Sequence, residues 1–152
     1  MTVLVSDIET NGYTPNTIWV CTIVDFHTDE CKSYYGDAVA EGLVRLAEAD
    51  YVVGHNFRQY DAKVIHDLTE GLVTIQPERI IDTLELSRSL FPDLPKHSLS
   101  FWGEVLGYPK LIFNEFQTFS PRMVEYCERD TRLNKLLFDF FLQYMREAGT
   151  TA

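Results

Sequence analysis

The sequence VLVSDIET at residues 3–10 gives the strongest indication of the fold. Its first three residues, Val3 to Val5, are all apolar, which is typical of a strand buried on both faces. We predict this strand at Thr2–Ile8. A strand of this kind lies in the middle of a sheet that is covered by helices on both sides. The run therefore predicts an α/β domain.

Strands and helices alternate along the rest of the chain. Apolar and β-branched runs predict further strands at Thr17–Phe26, Cys31–Tyr35, Tyr51–Val53 and Ile80–Ile81. Helical spacing and cap residues predict helices at 38–49, 60–68, 82–90, 98–106 and 120 to about 147. Three strands followed by alternating helices and strands imply a mixed sheet of about five strands flanked by helices.

The composition is that of a soluble globular protein, with 45% hydrophobic and 24% charged residues. Its 152 residues fit one domain, which we place at 1–148, with a short tail at 149–152. No apolar run approaches the roughly 20 residues that span a bilayer, and the N-terminus lacks a signal-peptide pattern. The widely spaced Cys21, Cys31 and Cys127 predict buried or half-buried thiols in a reducing compartment. We expect a cytoplasmic protein with no membrane partner.

The charge balance restricts the function. The chain has 13 basic and 23 acidic residues, for a net charge of −10. A passive nucleic-acid binder normally presents a basic surface that displaces counterions from phosphates. The balance argues against such a module, but it is compatible with an enzyme whose bound cations bridge its carboxylates to phosphate. It also predicts a weak hold on long DNA.

Two acids, Asp7 and Glu9, lie where the first strand leaves the core. Side chains two residues apart on a strand point to the same side. Carboxylates this close repel each other unless a cation lies between them, and Mg²⁺ prefers oxygen ligands. The alternative is that these acids simply face solvent at a strand end.

Two further acids lie on predicted helices. Asp61 is near the start of one helix, where the helix dipole already favours an acid. Tyr126 and Asp130 are four residues apart on the last helix, on the face that Leu133 and Leu137 continue into the core. An inward aspartate is costly without a cation or partner. The alternative is an exposed Tyr126–Asp130 pair, with the helix register displaced by one residue.

The order of these residues resembles that of the DnaQ-like (DEDD) exonuclease superfamily, and Tyr126 is similar to the tyrosine of its DEDDy branch. The sequence of these segments is most similar to that of the proofreading domain of podophage family A DNA polymerases, over about Val3 to Phe140. The similar stretches are VSDIE at 5–9, HN at 55–56 with YD at 60–61, IDTL at 81–84 with LSR at 86–88, and HSL at 97–99 with WG at 102–103. The polymerase part itself has no counterpart in the chain.

The resemblance implies an RNase H-like exonuclease fold and two Mg²⁺ (or Mn²⁺) ions. It implies that Asp7, Glu9 and Asp130 hold one ion, while Asp7 also reaches a second ion that Asp61 supports through water. Tyr126 would orient the attacking water. Two such ions can clamp an in-line displacement at phosphorus.

The implied reaction is 3′→5′ hydrolysis that releases 5′-mononucleotides from single-stranded or frayed DNA 3′ ends, in proofreading or DNA degradation during phage replication. The implied contacts to the terminal nucleotides are Thr10, Asn11, Asn56 and Phe57, although simple packing explains Phe57 as well. A separate DNA polymerase is a candidate partner, and the host cytoplasm the location if the chain is viral. We assign Asp82 to structure, because Asp82-x-x-Glu85 forms a helix capping box.

Two alternatives share the predicted fold. One is an RNA exonuclease resembling RNase T or oligoribonuclease, relatives that generally have a histidine at the position of Tyr126. The other is a module that keeps the fold for binding a polymerase and has no catalytic activity. The sequence has no phosphate-binding glycine loop and no nucleophile elbow, which argues against nucleotide hydrolases, dehydrogenases and esterases.

Overall fold

A computed structural model describes residues 1–149. Its centre is a five-stranded sheet in the order β3-β2-β1-β4-β5. The strands are β1 (Val3–Thr10), β2 (Ile18–Asp25), β3 (Cys31–Tyr35), β4 (Tyr51–Gly54) and β5 (Ile80–Asp82). The helices are α1 (Val39–Glu48), α2 (Ala62–Leu68), α3 (Thr83–Leu90), α4 (Leu99–Leu106) and α5 (Pro121–Glu147). Short 3₁₀ turns cover Gly36–Ala38 and Pro77–Arg79, and a π-helical turn covers Phe57–Asp61.

The central strand β1 determines where chemistry can take place. It pairs antiparallel with β2 and parallel with β4, with Val3 beside Tyr51 and Val5 beside Val53. Strand β4 in turn pairs parallel with β5. The carboxyl ends of β1, β4 and β5 therefore lie at one edge of the sheet, which is where open α/β sheets bind ligands.

Helices cover both faces of the sheet. Leu4 and Ile8 of β1 pack in one cluster with α1 and α2 residues such as Leu46 and Ile65. Val3 and Val5 point the other way and pack in a cluster with Phe138 of α5. Because successive strand residues alternate between faces, Asp7 and Glu9 share the α5 face with Val3 and Val5. The predicted mixed five-stranded α/β sheet flanked by helices is confirmed.

Most element boundaries lie within two residues of the predicted ones. Ser98 and Ser120 cap α4 and α5 as expected, through bonds from the Phe101 and Met123 amides. The three thiols are free, with Cys21 and Cys127 buried and Cys31 half-buried, which confirms their predicted burial. The reducing compartment stays a prediction.

Two further predictions concern membrane spans and the C-terminal tail. Within residues 1–149, none of the helices has the length and apolar character needed to cross a membrane. Of the predicted tail at 149–152, residues 150–152 lie outside the described part of the chain.

The segment 57–61 differs from its prediction. The sequence predicts an α-helix from Tyr60, but the chain forms a π-helical turn first, and the Ala62 amide donates to the Phe57 carbonyl five residues earlier. The turn begins after Asn56, whose φ of 56° is left-handed. It inserts one extra residue before the regular helix, as π-bulges do. Asp61 is therefore the last residue of this turn.

Candidate active site

The end of β1 brings two carboxylates together. Asp7 and Glu9 point to the same side of the sheet, and one oxygen of each lies within 4.8 Å of the other and of the Cys127 sulfur. Glu9 is buried, with 9% of its surface exposed, and Asp7 keeps part of its surface open to solvent. The Cys127 thiol lies beneath them and donates to the Asp7 carbonyl at 3.4 Å.

Helix α5 adds a third carboxylate from above. Asp130 is buried on the inward stripe that also carries Leu133 and Leu137. One oxygen, Oδ2, lies 3.4 Å from the Lys110 ammonium. The other, Oδ1, is buried and has no hydrogen-bond partner among the described residues. A buried carboxylate oxygen without a partner is costly, so this atom is suited to a bound cation.

The π-helical turn supplies the fourth carboxylate. Asp61 is buried, with 5% of its surface exposed, and its Oδ2 accepts from the Ile8 amide at 3.3 Å. Since Ile8 lies between Asp7 and Glu9, this bond ties the turn to the end of β1. The chain therefore brings all four predicted acids, Asp7, Glu9, Asp61 and Asp130, to one edge of the sheet.

Burial raises the pKa of all four acids, and for three of them a neighbouring acid adds to the shift. Burial, and after it the charge of Asp130, raises the pKa of Asp7 to about 7. Burial raises the pKa of Glu9 strongly, and the charges of Asp7, Asp130 and Asp61 add to it. Burial also raises the pKa of Asp61 well above its usual range, with Asp7 as the next cause. For Asp130 burial raises the pKa to about 6, although Lys110 opposes the shift.

The chemistry of these four acids shows whether a divalent cation would fit between them. The donor set is made of carboxylate oxygens, which are the ligands that Mg²⁺ and Mn²⁺ prefer. Ionising several buried acids without a cation is unfavourable, and the raised pKa values express that cost. The unpartnered Oδ1 of Asp130 is a further free ligand atom. The residues fit a divalent metal site.

Tyr126 lies one helical turn before Asp130. It is half-buried, and burial raises the pKa of its hydroxyl, so the neutral phenol is favoured. Its ring packs against Phe113 and Phe116, with ring centroids 5.4 and 5.9 Å away. The ring is therefore held by aromatic neighbours, and its hydroxyl is a fixed hydrogen-bonding group beside the carboxylates.

The sequence reasoning missed Lys110. Its ammonium lies 3.4 Å from Asp130 Oδ2 and 5.2 Å from the centre of the Tyr126 ring. Lys110 and, more weakly, Arg129 offset the charge of Asp130. Lys110 comes from the segment between α4 and α5, which has no helical or strand pattern. Cys127 was missed as well, because its sequence neighbours give no sign that its sulfur lies beneath Asp7.

Of the four predicted nucleotide contacts, Phe57 is wrong. Its side chain is fully buried and packs against Gly54, where an added Cβ would lie 2.5 Å from the Phe57 ring. No ring face is free for a base. Packing, the alternative reading of Phe57, is the correct one.

The other three predicted contacts, Thr10, Asn11 and Asn56, differ in the hydrogen bonds and exposure of their side chains. Thr10 is buried and its hydroxyl bonds with the Tyr60 hydroxyl at 2.7 Å. The Asn11 side chain holds the following loop by accepting from the Asn16 and Thr17 amides. Asn56 is exposed at the start of the π-helical turn. Their contact with a nucleotide stays a prediction.

Asp82 takes the structural role that its sequence context predicts. Its carboxylate accepts from the amides of Asn56, Arg58 and Leu84 at 2.9, 3.0 and 3.0 Å. Glu85 does not complete a capping box but pairs with the Arg58 guanidinium at 3.0 Å. Asp82 thus fixes the strand ends and the π-helical turn that carries Asp61.

A second polar cluster lies beside the site, and we call it the histidine network. Its members are His55, Thr83, Ser87, His97, Trp102 and Asn134. His55 bonds through one ring nitrogen to the Thr83 hydroxyl and through the other to the His97 carbonyl, both at 2.9 Å. Ser87 links the His97 ring to the Trp102 indole at 2.6 and 2.8 Å. Burial lowers the pKa of His55 to about 4, so its ring is neutral.

Several solved structures have a fold similar to that of this chain. No protein-family model matches the sequence, and no match is found among curated proteins. NrnC of Brucella melitensis with bound Mg²⁺ is similar with a TM-score of 0.75 at 20% identity, over 98% of this chain and 76% of that one. NrnC bound to pGG gives a TM-score of 0.74 at 21% identity, over 97% and 74%.

Two more distant structures share the same architecture. The family B DNA polymerase of the archaeon Pyrobaculum calidifontis has a TM-score of 0.73 at 15% identity, over 95% of this chain and 25% of the polymerase. The catalytic core of RRP6 from Trypanosoma brucei has a TM-score of 0.65 at 18% identity, over 97% and 42%. At such identities the likeness establishes a shared fold, and the predicted RNase H-like exonuclease fold is confirmed.

Proposed function

We propose that the chain is a metal-dependent 3′→5′ exonuclease of the DEDDy type. The observation that carries the proposal is the meeting of Asp7, Glu9, Asp61 and Asp130 at one edge of the sheet, with raised pKa values and one unpartnered buried oxygen. Evolution rarely keeps such an unfavourable cluster unless a ligand compensates it. The bound Mg²⁺ of the fold relative NrnC supports the same reading.

The residues divide the work between them. Two divalent ions held by these carboxylates would make hydroxide available near neutral pH and neutralise charge on the scissile phosphate. Asp130 projects from α5, Asp7 and Glu9 from β1 and Asp61 from the π-helical turn, so the ligands come from three elements, of which α5 and the turn both pack against β1. Tyr126 would orient the attacking water through its neutral hydroxyl. Positioning and charge neutralisation then supply the rate.

We infer that DNA is the substrate and that its 3′ end binds near Thr10, Asn11 and Asn56. The resemblance to podophage proofreading domains supports DNA, as does the tyrosine at position 126. The fold relative that is a DNA polymerase is consistent with this. Proofreading beside a separate polymerase, or DNA degradation in phage replication, are the biological roles that this substrate would serve.

The same hydrolysis acting on RNA is the second candidate. One fold relative favours RNA as the substrate, since NrnC is bound to pGG. Because both activities would use the same carboxylates, the substrate has to be decided by comparing matched DNA and RNA strands.

The decisive experiment digests single-stranded DNA labelled at one end and then at the other. With Mg²⁺ or Mn²⁺, a 5′ label should give a ladder of shortening products, and a 3′ label should be released at once as a mononucleotide. EDTA should stop both. Faster loss of an RNA strand of the same sequence would select the second candidate. A gel shift without nucleotide release in either metal would indicate a silent binding module and refute the enzyme.

A further inference from the structure

His97 has one ring nitrogen that the fold itself does not use. Its Nδ1 lies 2.6 Å from the Ser87 hydroxyl, whereas its Nε2 has no hydrogen-bond partner among residues 1–149. In that part of the chain, Asp130 Oδ1 is the one buried polar side-chain atom without a partner. The Nε2 atom of the half-buried His97 is therefore in contact with solvent, where a ligand can reach it.

The hydrogen bonds of Ser87 determine where the His97 ring carries a hydrogen. The Ser87 side chain is fully buried, and its two partners among the described residues are the Trp102 indole and His97 Nδ1. Because an indole can only donate, the buried Ser87 hydroxyl has to donate to His97 Nδ1. A ring that accepts at Nδ1 carries its hydrogen on Nε2. His97 therefore presents an N–H donor to solvent.

Buried hydrogen bonds hold this donor beside the candidate site. His55 directly follows β4, and its Nε2 donates to the His97 carbonyl at 2.9 Å. His55 also bonds to Thr83, which accepts from Asn134 at 2.8 Å. Asn134 lies one turn of α5 after Asp130, which is about 6 Å along the helix axis. A continuous set of hydrogen bonds thus links His97 to the part of α5 that carries Asp130.

Two cations lie next to this donor in the chain. Arg88 follows Ser87 and Lys96 precedes His97, so the bond between Ser87 and His97 brings the two segments together. Both basic side chains are exposed. Neither has an ion pair or a hydrogen bond within the described residues. Their charges are therefore available to an anion that binds His97.

Arg88 belongs to the surroundings of the candidate site. Burial is the main cause of the low pKa of His55, and the charges of Lys110 and Arg88 lower it further. Lys110 lies beside Asp130, whereas Arg88 lies in the last turn of α3. Both cations are thus close enough to act on one ring, which directly follows the strand next to β1.

The two sides of the candidate site differ in charge. The segment 86–97, between the middle of α3 and the start of α4, contains two basic residues and one acid, Asp93. The segment 111–128, which leads into α5, contains three acids and one basic residue, Arg122. A phosphate backbone that leaves the carboxylates is therefore attracted toward 86–97 and repelled by 111–128.

We propose that His97 Nε2, Arg88 and Lys96 form a phosphate site for the backbone of a nucleic-acid strand whose 3′ end lies at the carboxylates. The proposal rests on the proposed function and adds the surface over which the strand leaves. The strand crosses the carboxyl end of β4 at Asn56 and continues over the loop between α3 and α4. The fixed N–H of His97 supplies direction, and the two cations supply the charge that phosphate contacts need.

Removing the two cations tests this surface. A fluorescent strand of about 12 nucleotides, with a phosphorothioate at its last linkage to slow hydrolysis, is titrated with the full chain in Mg²⁺. The strand is DNA or RNA, whichever the unmodified protein hydrolyses faster. Arg88→Ala with Lys96→Ala should raise the Kd about tenfold. The slope of log Kd against log salt should fall by about 1.4, since each phosphate contact on a single strand contributes about 0.7.

A matched control removes two exposed cations at a distance from this surface. Lys32 lies on β3, at the opposite edge of the sheet from β5, and Arg132 lies on the exposed side of α5. Lys32→Ala with Arg132→Ala makes the same change in net charge and should change the Kd by less than about twofold. An equal rise in Kd in the control would overturn the proposal, because net charge alone would then govern binding.

Neutral linkages identify the phosphate that binds there. A series of strands carries a single methylphosphonate, which has no charge, at successive linkages from the 3′ end. At one or two linkages upstream of the last one, the replacement should weaken binding to the unmodified protein. The same replacement should have no effect on binding to the variant without Arg88 and Lys96. An identical pattern in the two proteins would overturn the proposal.

The His97 donor is tested on its own. His97→Phe keeps a ring but has no N–H, and it should raise the Kd about threefold and reduce the effect of the same methylphosphonate. Its melting temperature shows whether the fold is kept. A folded His97→Phe protein with an unchanged Kd would remove His97 from the site.

Failure of this surface is distinguishable from failure of the exonuclease. If the unmodified protein hydrolyses strands from the 3′ end while the loss of Arg88 and Lys96 leaves the Kd unchanged, the phosphate site is refuted and the proposed function stands. If the unmodified protein hydrolyses neither DNA nor RNA, the proposed function is refuted, and the phosphate site with it.

Discussion

Two buried polar clusters lie side by side in this molecule and differ in how well they are satisfied. In the histidine network, each buried side chain has a hydrogen-bond partner, and His55 uses both ring nitrogens. In the carboxylate cluster, four acids lie close together, Lys110 pairs with Asp130 Oδ2, and Asp130 Oδ1 has no partner among the described residues. The first cluster is complete as folded, and the second lacks the cations that the proposed function supplies. Under that proposal, the difference separates polar residues that stabilise the fold from those kept for chemistry.

The largest expected effect comes from removing one carboxylate of the site. Asp7→Ala should lower nucleotide release by roughly 10³-fold, the upper range for losing one preorganised electrostatic group. The fold in EDTA should be as stable as before or slightly more stable, since one source of repulsion is gone. Activity and melting temperature are compared with Asp37→Ala, a change at an exposed acid. Near-normal activity in the Asp7 variant would remove this residue from the site.

Removing the tyrosine hydroxyl should have the next largest effect. Tyr126→Phe keeps the ring that packs on Phe113 and Phe116 but loses the group that would orient water. Turnover should fall about 10²-fold, as for other positioned groups of this kind. The rise in melting temperature on adding Mg²⁺ should stay unchanged. A loss of that rise would make Tyr126 part of the structure that binds metal.

The opposite pattern is expected at the acid that is fully satisfied. Asp82→Ala removes the acceptor of three backbone amides, which should cost about 2–4 kcal/mol of unfolding free energy. Asp82→Asn keeps one oxygen acceptor and should cost less. Urea unfolding measures both. An alanine variant of normal stability would mean that these three bonds contribute little and would weaken the contrast between the two clusters.

The smallest effect distinguishes the clusters by pH. The metal-free fold holds protons on Asp7 and Asp130 with pKa values of about 7 and 6, against 3.8 in an unfolded chain. At these two acids the folded state binds more protons than the unfolded state, so their contribution to stability should fall as pH rises from about 4 to 7. His55, whose pKa burial lowers to about 4, contributes the opposite slope in EDTA and in Mg²⁺ alike. Because Mg²⁺ binds the ionised carboxylates, the melting temperature in Mg²⁺ minus that in EDTA should grow with pH over this window, and a difference that stays constant would contradict the shared burial of the acids.

Much of this arrangement could be predicted from the sequence because it depends on local patterns. The apolar run before Asp7 predicts a central strand, and the cap at Ser120 with its apolar stripe predicts the helix and inward side of Asp130. Strand alternation then predicts that Glu9 lies on the same side as Asp7. These inferences need only the periods of a strand and a helix.

The parts that could not be predicted depend on contacts between distant segments. The packing of Phe57 on Gly54 is a tertiary contact, so the loop sequence gives no sign of it. Lys110 lies in an irregular segment twenty residues before Asp130, and its approach to that acid is set by the path of the chain. No residue pattern specifies the five-residue hydrogen bond of the π-helical turn, so the sequence predicted a regular helix there.

The direction of the Asp61 carboxylate depends on the number of residues in the π-helical turn at Phe57–Asp61. Each residue of a regular helix advances the side-chain direction by about 100°. Deleting one residue between Asn56 and Asp61 would relax the turn into ordinary helix and swing Asp61 away from the Ile8 amide. The scaffold could absorb such a deletion, since α2 would simply start earlier. Under the proposed function, natural variants that hydrolyse nucleic acid should therefore be free of gaps across this stretch, however far their surface residues have diverged.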